Sequence, residues 1–484
     1  ESLCPIHTKL PSMARLPCGN TFTNHEGRTR MRRKKETVLC FESNDEGLPK
    51  VLRDYRDRYR AISQVLDQNP AILDAVHQDL QRLSQGGRKG RKGDFTSENI
   101  LRALIVQHAE GLPLREAVIR IGGDGFLQDF LRTRKRAVMD FTFLDKCFLA
   151  IRPETWKRVN ELLGRYGVAQ KAFNPKVIRT DTTVVESNIH YPTDSSLLWD
   201  TWRVASRLLR RAREMLPKSV PHRFHTRKIK KLSLDITRYI TSTSKSRQRQ
   251  VRAWFAALVE RVEWIVGIAG DFCEKFSPSS HLELAAVALE LRSYLPSMRT
   301  VVATARRAQL QRETVPARER VFSLFEPHTE LVKRGKRNKP VEFGHKLLLC
   351  QTQQKFITDY EVYEEQPADC DLTEPVIERH EKLFGERPAV LAADKGFCPK
   401  KSKFEELAKL VLNLAIPRRM QDFMDKLLTS CQAFRAGIEG TISGLKRGFR
   451  LFRCFFRGFK GFARSVGLGV FCHNLIVLAE HESG

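Results

Sequence analysis

Three carboxylates stand where a carboxylate needs a reason. Asp181 interrupts the run VIRTDTTVV (Val177–Val185), which otherwise reads as a buried strand. Asp394 closes the short apolar strand of PAVLAADKGF, just before a turn at Lys395 and Gly396. An unpaired buried carboxylate costs several kcal/mol. Carboxylates at the ends of neighbouring strands in an open α/β sheet point into one crevice, where such sheets bind ligands. A divalent cation relieves their repulsion, and Mg2+ takes carboxylates together with water and phosphate oxygens. A third ligand is available from the helix CQAFRAGIEGTISGLKRGFR (Cys431–Arg450). At about 100° per residue, Glu439 and Lys446 fall within about 20° of each other, and Arg435 lies about 40° to the other side. The three form one polar stripe beside Ile438, Ile442 and Leu445. Taken alone, the stripe also reads as an ordinary surface ladder of ion pairs.

The elements that must hold these groups alternate in type. Residues 49–84 have helical periodicity with a break at Pro70, and Gln85–Asp94 is a glycine-rich basic linker. Ser97 is placed to cap a helix ending near Gly111, and Pro113 opens a second that runs to Gly122 and Gly123. The pair is compatible with a helix-turn-helix or with a plain helical hairpin, and RTRKR (Arg132–Arg136) follows it. Helices continue to about residue 170, and the strand with Asp181 spans about 175–185. From about 197 to 312 only helical patterns appear. Strand signals return at VEFGHKLLLC (Val341–Cys350) and KFITDYEVYE (Lys355–Glu364). They are followed by a helix over 371–384, the Asp394 strand, a helix over 400–409, the strand LVLNLAIP, and helices over 432–447 and 465–480. That order predicts an α/β sheet layered with helices.

Composition narrows the partners. The chain of 484 residues has 84 Lys and Arg against 56 Asp and Glu, a net +28. Half of that excess lies in residues 200–320, with 25 Lys and Arg against 11 Asp and Glu, a net +14. Charge of this size favours a polyanion, nucleic acid before an anionic membrane surface, an acidic protein or an inert basic surface. The segment LKRGFRLFRCFFRGFKGFAR interleaves Lys446, Arg447, Arg450, Arg453, Arg457, Lys460 and Arg464 with Phe449, Phe452, Phe455, Phe456, Phe459 and Phe462. It suits backbone neutralisation with stacking, or a core face of phenylalanines beneath a cationic rim. The 11 cysteines form no CxxC pair or Cys/His grid, so free thiols are expected rather than zinc or disulfides. No apolar run of spanning length and no signal peptide is evident. The chain opens on Glu1, so Met13 or Met31 is a possible start, with 1–48 a basic disordered or non-native leader.

The order strand Asp181, strand Asp394, helix Glu439 resembles the DDE triad of transposases with a ribonuclease-H-like fold. Arg435-x3-Glu439-x6-Lys446 is similar to the Y-x2-R-x3-E-x6-K signature of bacterial insertion-sequence transposases of the IS-four/IS-five supergroup, with Gln432 at the tyrosine position. The segments DTTVVESNIHYPTDSSLLWD, FEPHTELVKRGK with FGHK, AADKGF and FRAGIEGTISGLKRGFRLFRCFFRGFKGF resemble parts of such enzymes, over roughly residues 50–480. The resemblance implies an α/β, ribonuclease-H-like mixed sheet (171–196 and 321–484), preceded by an all-helical DNA-binding or dimerisation domain (49–170). A basic helical insert (197–320) accounts for the long gap between Asp181 and Asp394. It also implies two Mg2+ ions (Mn2+ can substitute) about 3.5–4 Å apart on Asp181, Asp394 and Glu439. Arg435 and Lys446 would contact DNA, with Lys395, Arg447, Arg450 and Arg453 as further DNA contacts. The implied partners are transposon ends and target DNA, with a homodimer in the synaptic complex, no membrane, and a bacterial cytoplasmic, nucleoid-associated location. The implied activity is metal-dependent strand cleavage and transfer. The alternatives are an inactive or domesticated DNA-binding derivative, or a ribonuclease-H-like nuclease that cuts without joining. Minor candidates are Glu186 as an accessory ligand, His190 and Asp194 as catalytic groups, and Trp199 and Trp202 as stacking residues; His328 reads as structural.

Overall fold

The computed structural model describes residues 32–36, 45–84, 95–133, 139–277, 281–333, 340–418 and 426–482. Most of the leader, the linker Gln85–Asp94 and the basic residues 134–136 lie outside the described residues. Residues 32–36 run beside the start of a helix: Ser97 N and Glu98 N donate to Arg33 O and Lys34 O.

The N-terminal region is helical: α1 (Lys50–Gln68), α2 (Pro70–Gln81), α3 (Ser97–Ala109), α4 (Leu114–Gly123), α5 (Gly125–Leu131), α6 (Phe141–Ala150) and α7 (Pro153–Ala169). Pro70 and Pro153 open α2 and α7, where a missing N–H costs nothing. The cap of α3 is Thr96, not Ser97. Thr96 Oγ1 accepts from Asn99 N, and Asn99 Oδ1 accepts from Thr96 N at 2.8 Å, which closes a reciprocal box that Ser97 could not. Gly111 turns the chain with φ +61°, which a residue bearing a Cβ resists. Nearly all of α3 is buried, so it is the core helix of this region, while α4 buries only Ala117 and Ile121.

A mixed seven-stranded sheet follows, with helices interspersed. Its centre is β1 (Val177–Ser187). After β1 come α8 (Asp194–Met215), α9 (Thr226–Tyr239), α10 (Lys245–Phe276) and α11 (Leu282–Ala305), which share a core of their own around Leu198, Trp202, Leu258, Ile265 and Leu291. The chain then rejoins the sheet as β2 (Glu330–Lys333), β3 (Val341–Thr352) and β4 (Ile357–Tyr363). Next come α12 (Thr373–Phe384), β5 (Val390–Ala392), α13 (Lys401–Ala408), β6 (Asn413–Ala415), α14 (Lys426–Gly448), β7 (Arg453–Cys454) and α15 (Gly458–Glu482). β3 is antiparallel to β1, β2 and β4; β5 is parallel to β1 and β6 parallel to β5. The even residues Ile178 and Leu348 face α12 and α13, whereas Val185, Leu347 and Leu349 face α14 and α15.

α15 belongs to two cores. Val466 and Val470 pack on the sheet, while Phe471, Cys472, Leu475 and Leu478 pack among α1, α3 and α7. The sequence shows no apolar run of spanning length, yet α15 is long and apolar enough to cross a membrane once its scattered charges are tolerated; most of that stretch is buried in the protein. Its first two turns come from a segment read as a basic tail, because the cap is tertiary: Glu326 Oε2 accepts from Gly458 N at 2.8 Å. His328 Nε2 lies 2.8 Å from the same oxygen, and His328 Nδ1 lies 2.6 Å from His345 Nε2, so a buried polar chain ties α15 to β3. Burial pushes the His345 pKa down to about 4.

Fully buried Asn474 of α15 serves the start of β4 as a strand neighbour would. Its Oδ1 accepts from Ile357 N at 2.9 Å and its Nδ2 donates to Ile357 O at 2.9 Å and to Asn160 Oδ1 at 3.2 Å. Asn474→Ala would strand these buried groups at about 1–3 kcal/mol each. Urea denaturation is therefore expected to show a loss of about 3 kcal/mol or more, well beyond an ordinary surface substitution.

Candidate active site

β1 has a gap along one edge. β5 pairs with Val177–Arg179 and β7 with Glu186–Ser187, and no strand among the described residues pairs with that edge between them. Asp181 lies in this gap. Arg179 is in register with Ala392, the last residue of β5, so Asp181 lies two residues further along β1 and Asp394 two residues past the end of β5. Asp394 Oδ1 caps the turn after β5 by accepting from Gly396 N at 2.8 Å. α14 crosses the opening, touching β1, β5 and β6.

Three side chains seat α14. Buried Arg179 donates from Nε to Gln351 Oε1 at 2.9 Å and from Nη1 to Phe434 O at 2.7 Å, with its guanidinium over the Phe434 ring. A Cβ on Gly437 would come 2.1 Å from Arg179 Nη1, so glycine lets the helix approach this far. Gln351 Nε2 also donates to Thr441 Oγ1 at 2.6 Å. At the other end, Gln432 Nε2 donates to Ala393 O and Ala415 O, each at 3.0 Å, pinning α14 to the ends of β5 and β6. None of these ties is legible from local sequence pattern.

So held, α14 presents Arg435 to the gap. Arg435 Nη1 donates to Asp181 Oδ2 and Nη2 to Glu439 Oε1, both at 3.1 Å. The Asp181 side chain is 15% exposed and that of Glu439 66%. Asp181 Oδ1 accepts from Thr182 N at 2.7 Å. Burial is the chief cause that pushes the Asp181 carboxyl from its ordinary 3.8 up to about 6; the charges of Asp394 and Glu439 add to the rise, while Thr182 N–H and Arg435 oppose it. Asp181 thus feels the charges of both Asp394 and Glu439. Among the described residues, no three His, Cys, Asp or Glu side chains are gathered closely enough to hold a metal ion. Arg435 stands between two of the carboxylates instead. Carboxylate is the donor type that a hard divalent cation takes, but here the three are not gathered about one point.

Other candidates have varied surroundings. Lys395 and Arg447 are exposed, and Lys446 is partly buried on α14. Arg450 has φ +60°, donates to Gly111 O at 3.4 Å and lies over the Phe455 ring, so it bridges to the turn after α3. Arg453 pairs with Glu186 at 2.8 Å, which occupies both. His190 lies 2.7 Å from Asp200, and Asp194 accepts from Gln309 and Arg320 at 2.6 and 2.9 Å, closing the two ends of the helical segment together. Trp202 is buried and Trp199 packs against the same core. Of the six phenylalanines, Phe462 is buried, Phe449, Phe456 and Phe459 are partly buried, and Phe452 and Phe455 are more than half exposed.

Sequence reasoning missed Asp369. Its Oδ1 accepts from Lys346 Nζ at 2.9 Å and Thr182 Oγ1 at 3.3 Å, and a Cβ on Gly396 would lie 3.0 Å from Asp394 Oδ1 and 3.7 Å from Asp369 Oδ2. A cavity of about 310 Å3 opens beside Thr182, Thr183, Lys346 and Asp369. The only sequence signal was Lys346 in FGHK; the aspartate sits in an unpatterned loop.

Folding raises the Asp181 pKa, so the folded state holds this proton more tightly than the unfolded chain. Its stabilising contribution is complete below about pH 4 and is lost as pH rises through about 6. Asp181→Asn is therefore expected to stabilise the metal-free protein at pH 8 by about 2 kcal/mol, the Arg435 attraction being already contained in the shift, and to have little effect near pH 4. Denaturant titrations at both pH values check this; equal effects at both would refute it.

No protein-family model matches this chain, and comparisons with curated proteins and with solved structures return no match.

Proposed function

We propose that the chain is a DDE transposase of ribonuclease-H-like fold, a metal-dependent enzyme that cuts DNA at transposon ends and joins them to target DNA. The observation that carries this reading is the relation of the three carboxylates. Asp181 lies on β1 two residues past its last pairing with β5, Asp394 lies two residues past the end of β5, and Glu439 is linked to Asp181 through Arg435. A mixed sheet whose central strand bears the first aspartate, together with the net +28, supports the same reading.

Asp181, Asp394 and Glu439 are the residues that would hold divalent cations. When bound, such ions polarise a phosphate and lower the pKa of an attacking water or hydroxyl. The remaining work falls to the chain. Arg435 is held at the gap by two carboxylates, and its planar fork suits bidentate contact with a DNA phosphate. Arg179, Gln351 and Gln432 fix the height of α14, so Arg435 and Glu439 keep a constant distance from β1. Gln432 takes the place of the signature's tyrosine with a positioning job, holding the helix to two strand ends. Exposed Phe452 and Phe455, beside Arg450 and Arg453, offer apolar contacts to DNA flanking the gap.

A second reading, a DNA-binding derivative without catalysis, draws on Arg435, whose double ion pair already neutralises two of the carboxylates. The test is a strand-cleavage and joining assay with Mg2+ on DNA carrying the ends of the element. Wild-type protein is expected to cut and join. Asp181→Ala, Asp394→Ala and Glu439→Ala should each lower the rate on the order of 10³-fold with DNA binding retained, as loss of several kcal/mol of charge stabilisation requires. Binding without cutting by the wild type would select the derivative, and cutting without joining a nuclease.

A further inference from the structure

The positive charge of the helical segment after β1 is unevenly committed. On α8 and beyond α11 most cations have partners, among them Arg203 with Asp200, Arg306 with Glu263, Arg307 with Glu313 and Glu319, and Arg320 with Asp194, while Arg207, Arg312 and Arg318 stand apart from them. Around α9 the cations lack partners. Arg223, just before the helix, and Arg227, Lys228, Lys230, Lys231 and Arg238 on it are all exposed, and none makes an ion pair or side-chain hydrogen bond with a described residue. Asp235 is the one acid on the helix.

The other side of α9 is fully used. Ile229, Ser233 and Ile236 are buried, Ser233 Oγ donates to Ser195 O at 3.0 Å, and Ser195 Oγ lies 3.2 Å from Thr237 Oγ1. Arg210 Nη2 donates to Thr226 Oγ1 at 2.5 Å, which fixes the helix start. The outer face is thus cationic, with Leu234 its one exposed large apolar residue. A helix that lies in a membrane surface needs a free apolar face, and that of α9 is already spent inside the protein. What remains fits a polyanion. Over 14 residues α9 is about 21 Å long, enough to lie along about six base-pair steps of a duplex.

We infer that the outer face of α9 is a binding surface for the sugar–phosphate backbone of duplex DNA, read without regard to sequence. This rests on the proposed action on DNA and names the surface that holds the substrate. α9 is bonded to the first turn of α8, which starts seven residues after β1 ends, so DNA held there is tied to the strand that carries Asp181.

The test is a salt titration of duplex binding by the full chain, followed by fluorescence anisotropy with a duplex of arbitrary sequence. A variant carrying Arg227→Gln, Lys228→Gln, Lys230→Gln and Lys231→Gln is expected to bind at least about tenfold more weakly near 0.15 M salt. The slope of log K against log salt should flatten by up to about 3.6, since each of the four phosphates no longer neutralised removes about 0.9 from it. Arg387→Gln with Lys403→Gln, which removes two ion-paired cations elsewhere, should leave the slope unchanged. An unchanged slope in the α9 variant, or an equal loss per charge in the control, would overturn the inference. So would a wild type that binds anionic phosphatidylserine vesicles or single-stranded RNA in preference to duplex DNA. Cleavage is read separately: DNA held by α9 with no cutting by the wild type would sink the transposase reading while leaving this surface standing.

Discussion

Everything near the three carboxylates depends on how α14 is seated on β1. A guanidinium from the strand reaches into the helix backbone at Phe434 O, and the helix accommodates it only because residue 437 has no side chain. The contact buries Arg179 against a ring, a carbonyl and an amide, so its charge is satisfied without a carboxylate. That leaves Arg435, two residues before the glycine, free to address Asp181. If the helix sat higher, Arg435 would lose the aspartate and Glu439 would face solvent alone. The position of two charged groups is thus set by a third that takes no part in their exchange.

The same region shows how a fold tolerates charge in its interior. Asp181 is disfavoured by burial and by two like charges, and is relieved by one amide and one cation. Such a site is poorly compensated by its own residues. Nearby, Lys346 and Asp369 make a fully matched pair. The contrast lies in burial: the Lys346–Asp369 pair is matched one to one, whereas Arg435 is shared between Asp181 and the exposed Glu439.

Long periodic elements were legible in the sequence. The strands β1, β3 and β4, the helices α12 and α13, and the helical run from α8 to α11 fall within a few residues of where hydrophobic pattern puts them. Short or tertiary features were not. β2 and β7, of four and two residues, carry too few positions to show a period. α15 begins seven residues before its apolar pattern does, because its cap is Glu326, more than a hundred residues away. Around the carboxylates, the strand positions of Asp181 and Asp394 and the polar stripe on α14 were readable from spacing. Asp369, Gln432 and the Arg179–Gly437 seat were not, since each owes its place to a contact between distant segments.

The double membership of α15 has a consequence for how the chain acquires its structure. The N-terminal helices α1, α3 and α7 close over Phe471, Leu475 and Leu478, residues made some three hundred positions after α7. Until then that first-made region must wait with an open apolar seam, although chains usually complete their N-terminal units early. Folding here is therefore expected to be late and concerted, with high contact order and slow closure. The helices α8 to α11, which close on a core of their own, are free of that wait.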